Sequence, residues 1–186
     1  TKNGMIKRTS LEEFKTTRIL KPIICIKLKD KDSLINACIA KYNDIFIGTN
    51  KSYGLWYDVS EIPVVGLRTS GVKSINLKDD YVVGVSNFDK ETNEYITVIT
   101  DKGTGKRIKL SDFEKTSRAK RGLLILREVK TNPYRIIKTL IVSNKEYIGI
   151  KNGDIKILKS TEIPILDLIN IEILNILYNL LPLNLI

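Results

Sequence analysis

GLWYDVSEIPVVGLRTSGVKSINLKDD, residues 54–80, carries a phrase that recurs on both sides of it. Thr49, Ser52, Gly54, Glu61 and Ile62 align without a gap with Thr1, Gly4, Ile6, Glu13 and Phe14 at an offset of 48. They align again with Thr100, Gly103, Gly105, Asp112 and Phe113 at an offset of 51. A fourth copy follows 50 residues later, with Gly153, Ile155, Glu162, Ile163 and Pro164 in the places of Gly103, Gly105, Asp112, Phe113 and Glu114. Regular starts at that spacing define a repeat architecture, with units at about 1–48, 49–99, 100–149 and 150–186.

Each unit opens on a Thr/Gly turn and a short strand, then an acidic-apolar pair: Glu13-Phe14, Glu61-Ile62, Asp112-Phe113, Glu162-Ile163. A basic loop follows, at 17–22, 66–71 and 117–122, and leads to a second strand beginning at Ile23, Val72 or Leu123. The period-two alternation or apolar run of these stretches predicts half-buried or fully buried strands. Further strands are predicted over 34–40, 81–86 and 136–142, and over 44–49, 95–100 and 146–150. Four strands per unit, β-branched residues and no 3.6 period in the first three units predict an all-β fold and exclude a helical solenoid. A single blade cannot bury both of its faces, so residues 1–186 read as one propeller-like domain of three complete blades and a partial fourth, with a β-solenoid as the alternative.

EIP followed by TSGVKSINLKDD, the opening TKNGMIKR, and TDKGTGKRIKLSDF before a basic loop and Gly122 resemble the C-terminal domain of the A subunit of bacterial type II topoisomerases. The likeness covers roughly residues 1–164 and is closest to the A subunit of topoisomerase IV (ParC) from low-GC Gram-positive bacteria, less so to the A subunit of DNA gyrase. It implies a β-pinwheel whose basic rim binds and bends duplex DNA. It also implies partners beyond this segment: the N-terminal cleavage core of the same polypeptide, and the ATPase B subunit of an A2B2 holoenzyme. The cleaving tyrosine, the Mg2+ site and the ATP site lie elsewhere in such an enzyme, so no cofactor and no catalysis are expected here. The gyrase domain's glutamine-arginine-glycine box has no counterpart, since residues 17–22 read TRILKP and residues 117–122, SRAKRG, echo it loosely.

Charge points the same way. The chain has 31 Lys and Arg against 21 Asp and Glu, a net +10 with a pI near 9.5. Residues 1–163 hold all 31 basic residues against 19 acids, a net +12. Lysine-rich composition by itself requires no partner, and an acidic protein docked on a propeller scaffold is the alternative reading. Against this, the basic residues recur at fixed places: Lys7 and Arg8 match Lys106 and Arg107, and the loop holding Arg18 and Lys21 later holds Arg68, then Arg118, Lys120 and Arg121. Equivalent loops of successive blades lie side by side, so recurrence predicts a continuous band suited to a phosphate backbone. The candidate DNA contacts are Lys7, Arg8, Arg18, Lys21, Arg68, Lys73, Lys106, Arg107, Arg118, Lys120 and Arg121. Arginine leads because its planar fork bridges two oxygens.

Other chemistries are excluded or weak. There is no His, and Cys25 and Cys38 fall on predicted apolar strands, where they read as buried free thiols; neither a conventional zinc site nor a Cys/His or Ser/His pair can be built. Gly71 and Gly122 read as backbone geometry or close approach of a neighbouring strand, and the GTGKR of 103–107 as a hairpin turn. Trp56 stands where other units have Arg8 and Arg107; it either faces outward or enters the core through a bulge. Without a signal-like segment, a cytoplasmic, nucleoid-associated protein is expected. After Pro164 the pattern lapses into ILDLINIEILNILYNLLPLNLI, where Asp167, Asn170, Asn175 and Asn179 on one side predict a helix over about 166–180, too interrupted to span a membrane.

Overall fold

The computed structural model describes residues 1–15, 20–127, 131, 133–152, 154–165, 169–170 and 175–176. Strands β1 (Met5–Ile6), β2 (Asp44–Thr49), β3 (Tyr53–Asp58), β4 (Val72–Lys73), β5 (Val82–Phe88), β6 (Tyr95–Thr100), β7 (Thr104–Lys109), β8 (Leu123–Leu124), β9 (Ile136–Val142), β10 (Tyr147–Asn152), β11 (Asp154–Lys159), β12 (Ile169–Asn170) and β13 (Asn175–Ile176) pair antiparallel. They form four sheets of order β1-β4, β5-β2-β3-β8, β12-β7-β6-β9 and β11-β10-β13.

Each hairpin begins at the Thr/Gly turn that marks its unit. The Thr49 hydroxyl accepts from the N–H of Tyr53 at 3.0 Å, and Thr1 does the same for Met5 at 3.0 Å. The turn just before the second strand needs a left-handed backbone: Gly4 has φ +75° and Gly103 +71°, and Ser52 adopts +67° without glycine's freedom. The acidic-apolar pair closes a 3-10 turn in every unit, and the apolar member is buried at Ile62, Phe113 and Ile163 and half-buried at Phe14.

Side chains of one strand serve two seams, because successive residues face opposite sides of a sheet. Ile45 and Ile47 of β2 enter the seam between the first and second units, with Leu55, Tyr57, Ile62 and Ile75. Phe46, between them in sequence, enters the next seam with Ile96, Val98, Phe113 and Ile136. Ile99, Leu140, Ile148 and Ile163 fill the third seam. Close approach at the inner strands depends on small residues: a Cβ on Gly48 or Gly84 would lie 2.3 or 2.2 Å from the Thr139 hydroxyl.

The sequence unit and the sheet differ. The short strand after each basic loop leaves its own unit and pairs on the outer edge of the preceding one: Val72 opposite Ile6, Leu123 opposite Gly54, Ile169 opposite Gly105. These three residues follow one register. The second-strand predictions therefore shrink to two-residue strands, and among the described residues only the two middle sheets have four strands, where three complete blades were expected. Residues 23–29 and 34–40, predicted as strands, form none. The helix expected over 166–180 is corrected as well: Ile169–Asn170 and Asn175–Ile176 are strands, and Ile150 pairs Ile176 as Thr100 pairs Ile136. The open edges of β7 and β10 supply backbone partners that an isolated amphipathic pattern does not reveal. The remainder of that segment lies outside the described residues. Cys25 and Cys38, expected to be buried, are exposed and free.

Candidate nucleic-acid interface

The basic loops lead to the exchanged strands, and this fixes where they lie. The loop at 66–71 runs along the first unit, with Lys27 N–H donating to Thr69 O at 3.1 Å. The loop at 117–122 repeats that contact on the second unit, where Asn76 N–H donates to Lys120 O and Ala119 N–H to Ser74 O, both at 2.8 Å. Each loop is thus joined to the stretch that follows the preceding loop.

Glycine makes the join possible. Gly71 and Gly122 have φ of +79° and +83°, and a Cβ would stand 2.2 Å from Ile6 O and 2.1 Å from Gly54 O. Backbone geometry and close strand approach both act at these two positions.

The candidate cations divide into two groups. Lys21, Arg68, Lys73 and Lys120 are exposed on or beside the loops, Lys73 with its ammonium 3.1 Å from Asn76 Oδ1. Lys106 is half-buried on β7. Arg18 lies outside the described residues. The others are turned to backbone carbonyls of a neighbouring unit. Lys7 Nζ donates to Gly66 O at 2.8 Å and Leu67 O at 2.6 Å, and burial lowers its pKa from the ordinary lysine value. Arg8 Nε donates to Ile62 O at 2.7 Å. Arg118 binds Glu61 O from Nε at 3.0 Å, takes the Glu61 carboxylate on its backbone N–H at 2.8 Å, and reaches Lys73 O with its guanidinium. Arg121 stacks 3.9 Å over the Tyr53 ring and donates to Leu77 O.

Arg107 corrects the sequence reading most firmly. It is 5% exposed, with Nε on Ile163 O at 2.6 Å, Nη1 on Asn144 Oδ1 at 2.7 Å, and its guanidinium 4.5 Å over the Tyr95 ring. A guanidinium so enclosed cannot reach a phosphate without leaving the seam, so it is an anchor. Its recurrence with Arg8 reflects a repeated carbonyl on the next unit, which sequence periodicity cannot tell from a repeated ligand.

Trp56 takes neither position expected of it. Half-buried beside Phe88, it donates from Nε1 to Asp44 Oδ1 at 2.8 Å. Lys115 bridges Asp44 at 2.7 Å and Asp58 at 2.9 Å, so an ion-pair latch links the second and third units where the arginine is missing.

Lys27, Lys29 and Lys78 escaped the sequence reading, yet they are exposed, and Lys27 adjoins the loop at 66–71 through its N–H. The repeated Leu-Lys of 28–29 and 77–78 was the available signal.

Sequence and fold comparisons agree with this architecture. The family described as DNA gyrase C-terminal domain, beta-propeller, matches residues 1–37, 43–89 and 94–143. The chain belongs to that family. The A subunit of DNA topoisomerase 4 from Bacillus subtilis (strain 168) is 41% identical over 166 residues, 88% of this chain and 20% of that protein. The Staphylococcus epidermidis protein of the same name is 44% identical over 144 residues, 76% of this chain and 18% of its own. This gyrase-family domain therefore spans about a fifth of the curated relatives it matches. The solved C-terminal domain of DNA topoisomerase IV superposes with TM-score 0.81 at 38% identity, covering 89% of this chain and 52% of that one. A DNA gyrase A C-terminal domain superposes with TM-score 0.80 at 20% identity and bears on the fold alone. The β-pinwheel expected from the sequence is the fold observed. No helix among the described residues is long and apolar enough to cross a membrane.

Proposed function

We propose that this domain binds and bends duplex DNA as part of the larger chain of a bacterial topoisomerase IV. The observation that carries the reading is that each basic loop is hydrogen-bonded to the stretch following the preceding loop, through Lys27–Thr69 and Asn76–Lys120, which sets exposed Lys27, Arg68, Lys73 and Lys120 on adjoining segments of successive units. Such cations suit phosphates, and no helix among the described residues is offered to the major groove, so binding is independent of sequence. A convex outer edge meets a straight duplex over one unit or two. Bending a site of 20–30 base pairs by 40–90° costs about 1–6 kcal/mol, and the counterions released by further phosphate contacts offset it at moderate salt.

In the parent enzyme, the domain holds DNA beside the cleavage core of its own polypeptide and selects the segment presented for strand passage. Decatenation and supercoil relaxation follow from that choice. Mg2+ and ATP serve the cleavage core and the B subunit of an A2B2 assembly in the cytoplasm, and no step of DNA binding here passes through either. The missing glutamine-arginine-glycine box supports topoisomerase IV over gyrase.

Energy transfer between dyes at the ends of a 40-base-pair duplex tests the proposal. The ends are expected to approach on saturation at low salt and to separate early as salt rises. A constant end-to-end distance would leave binding without bending, and salt-independent binding or none would favour the acidic-protein scaffold.

A further inference from the structure

The loops at 66–71 and 117–122, which read GLRTSG and SRAKRG, use their cations in opposite ways. With Gly71 set against Gly122, Leu67 stands in the place of Arg118, Arg68 in that of Ala119 and Ser70 in that of Arg121. The hydrogen bonds from Lys27 N–H to Thr69 O and from Asn76 N–H to Lys120 O follow the same register. The loop at 117–122 is tied down by its own arginines. Arg118 reaches Glu61 O and Lys73 O, and Arg121 lies over the Tyr53 ring with Nη1 on Leu77 O. Lys120 is left exposed between them.

The loop at 66–71 has no arginine at either anchoring place, and Arg68 is exposed. Its anchor comes from the preceding unit. Lys7 Nζ donates to Gly66 O at 2.8 Å and to Leu67 O at 2.6 Å, the two carbonyls immediately before Arg68. On the residue immediately after Arg68, Thr69 Oγ1 donates to Gly66 O at 2.9 Å and Thr69 O accepts from Lys27 N–H at 3.1 Å. The second unit lacks the lysine, because Lys7 aligns there with Leu55, which is 1% exposed and belongs to the first seam. A charged donor on two successive carbonyls is a strong tether for so short a turn. An arginine on a free loop must order backbone and side chain together when it meets a phosphate, whereas on a held loop only the side chain remains to be ordered.

Given DNA binding as proposed above, we propose that Lys7 is a positioning residue for it, clamping the turn at 66–68 so that Arg68 is presented to a phosphate. Lys7 then acts through Arg68 and not through a phosphate of its own, which is the role that its recurrence with Lys106 suggested. The two loops reach one result by exchanged parts: a lysine holds and an arginine binds in the first, and arginines hold and a lysine binds in the second.

Binding of the full parent protein to a 40-base-pair duplex is titrated at several salt concentrations for Lys7→Met, Arg68→Ala and the double variant. Each single variant is expected to weaken binding and lower the salt slope by about one, and the double variant to fall no further, because groups that act as a unit are not additive. Thr69→Val removes a second bond to Gly66 O without removing a charge, and is expected to weaken binding only while Arg68 is present. Lys15→Met, which removes an exposed cation of the same unit, is expected to show no coupling to Arg68. A slope lower by about two in the Lys7/Arg68 double variant would make Lys7 a phosphate contact in its own right and overturn the proposal. A Lys7→Met protein that melts earlier yet keeps the original slope would also overturn it, since the tether would then serve stability alone. If Arg68→Ala leaves binding unchanged, the proposed function fails at this loop and the role of Lys7 falls with it; if Arg68→Ala weakens binding and Lys7→Met does not, the role of Lys7 falls alone.

Discussion

Arg107 donates from Nε to the carbonyl of Ile163, 56 residues away and fully buried, at 2.6 Å. Arg8 makes the equivalent bond to Ile62 O at 2.7 Å, so one bond type clasps the first seam and the third. Replacing Arg107 with Ala leaves that carbonyl and Asn144 short of a donor inside the seam, at a cost of about 1–3 kcal/mol. For a domain of this size, each kcal/mol lowers Tm by roughly 2–4 °C. Calorimetry on Arg107→Ala is expected to show that loss, while DNA affinity per folded molecule stays within about twofold, since a shielded guanidinium contributes no phosphate contact.

Arg68→Ala, Lys73→Ala and Lys120→Ala have the opposite signature. Each side chain is exposed on or beside a basic loop. Each substitution should weaken binding to unrelated duplexes alike and reduce the salt slope by about one, with Tm unchanged. Titration at several salt concentrations separates the two classes of residue. An unaltered slope in all three would place the DNA elsewhere.

The glycines give a graded test of strand exchange. Gly71→Ala and Gly122→Ala combine a left-handed φ, costing about 1–2 kcal/mol for an L-residue, with a Cβ driven into Ile6 O or Gly54 O. Gly66 opens the loop that Gly71 closes, has ordinary φ, and a Cβ there meets nothing within 4 Å. Gly66→Ala should leave the denaturant midpoint nearly unchanged, and the other two should lower it markedly.

The Lys115 latch predicts a pH window. The hydrogen bond from Lys115, followed by the Ser60 N–H, holds the Asp58 carboxyl well below the usual carboxylate range. Its contribution is present above the unfolded aspartate value of about 3.9 and is lost as pH falls below it toward the folded value. Burial pulls the Lys115 pKa down, but its bonds to Asp44 and Asp58 outweigh this and raise it. That contribution is present below the unfolded lysine value of about 10.4 and is lost as pH rises through the folded one. Lys115→Met should destabilise the domain at pH 7, because the buried Asp44 then loses its cation and keeps the Trp56 indole as donor to the same oxygen. The substitution should also flatten the stability curve at both ends. Urea titrations from about pH 3 to about pH 10.5, spanning both unfolded values, read this directly.

The repeat, the hairpins and the 3-10 turns were legible in the sequence because short-range chemistry specifies them. Thr49 and Thr100 cap their own turns, Gly103 supplies its own left-handed residue, and the strands β2, β6 and β9 keep their predicted bounds because apolar and β-branched residues dominate each of them. Strand exchange was not legible. Val72 and Leu123 look the same whether they pair within their unit or with the one before, and only the open outer edge of the neighbour decides. The apolar tail after Pro164 was ambiguous for the same reason, since a helical spacing of asparagines says nothing of the edges waiting at β7 and β10. Periodicity located the recurring arginines without revealing what they bind. The assembled seams set Arg8 and Arg107 against backbone carbonyls, which attract a guanidinium as a phosphate would, and left Arg68, Lys73 and Lys120 facing water.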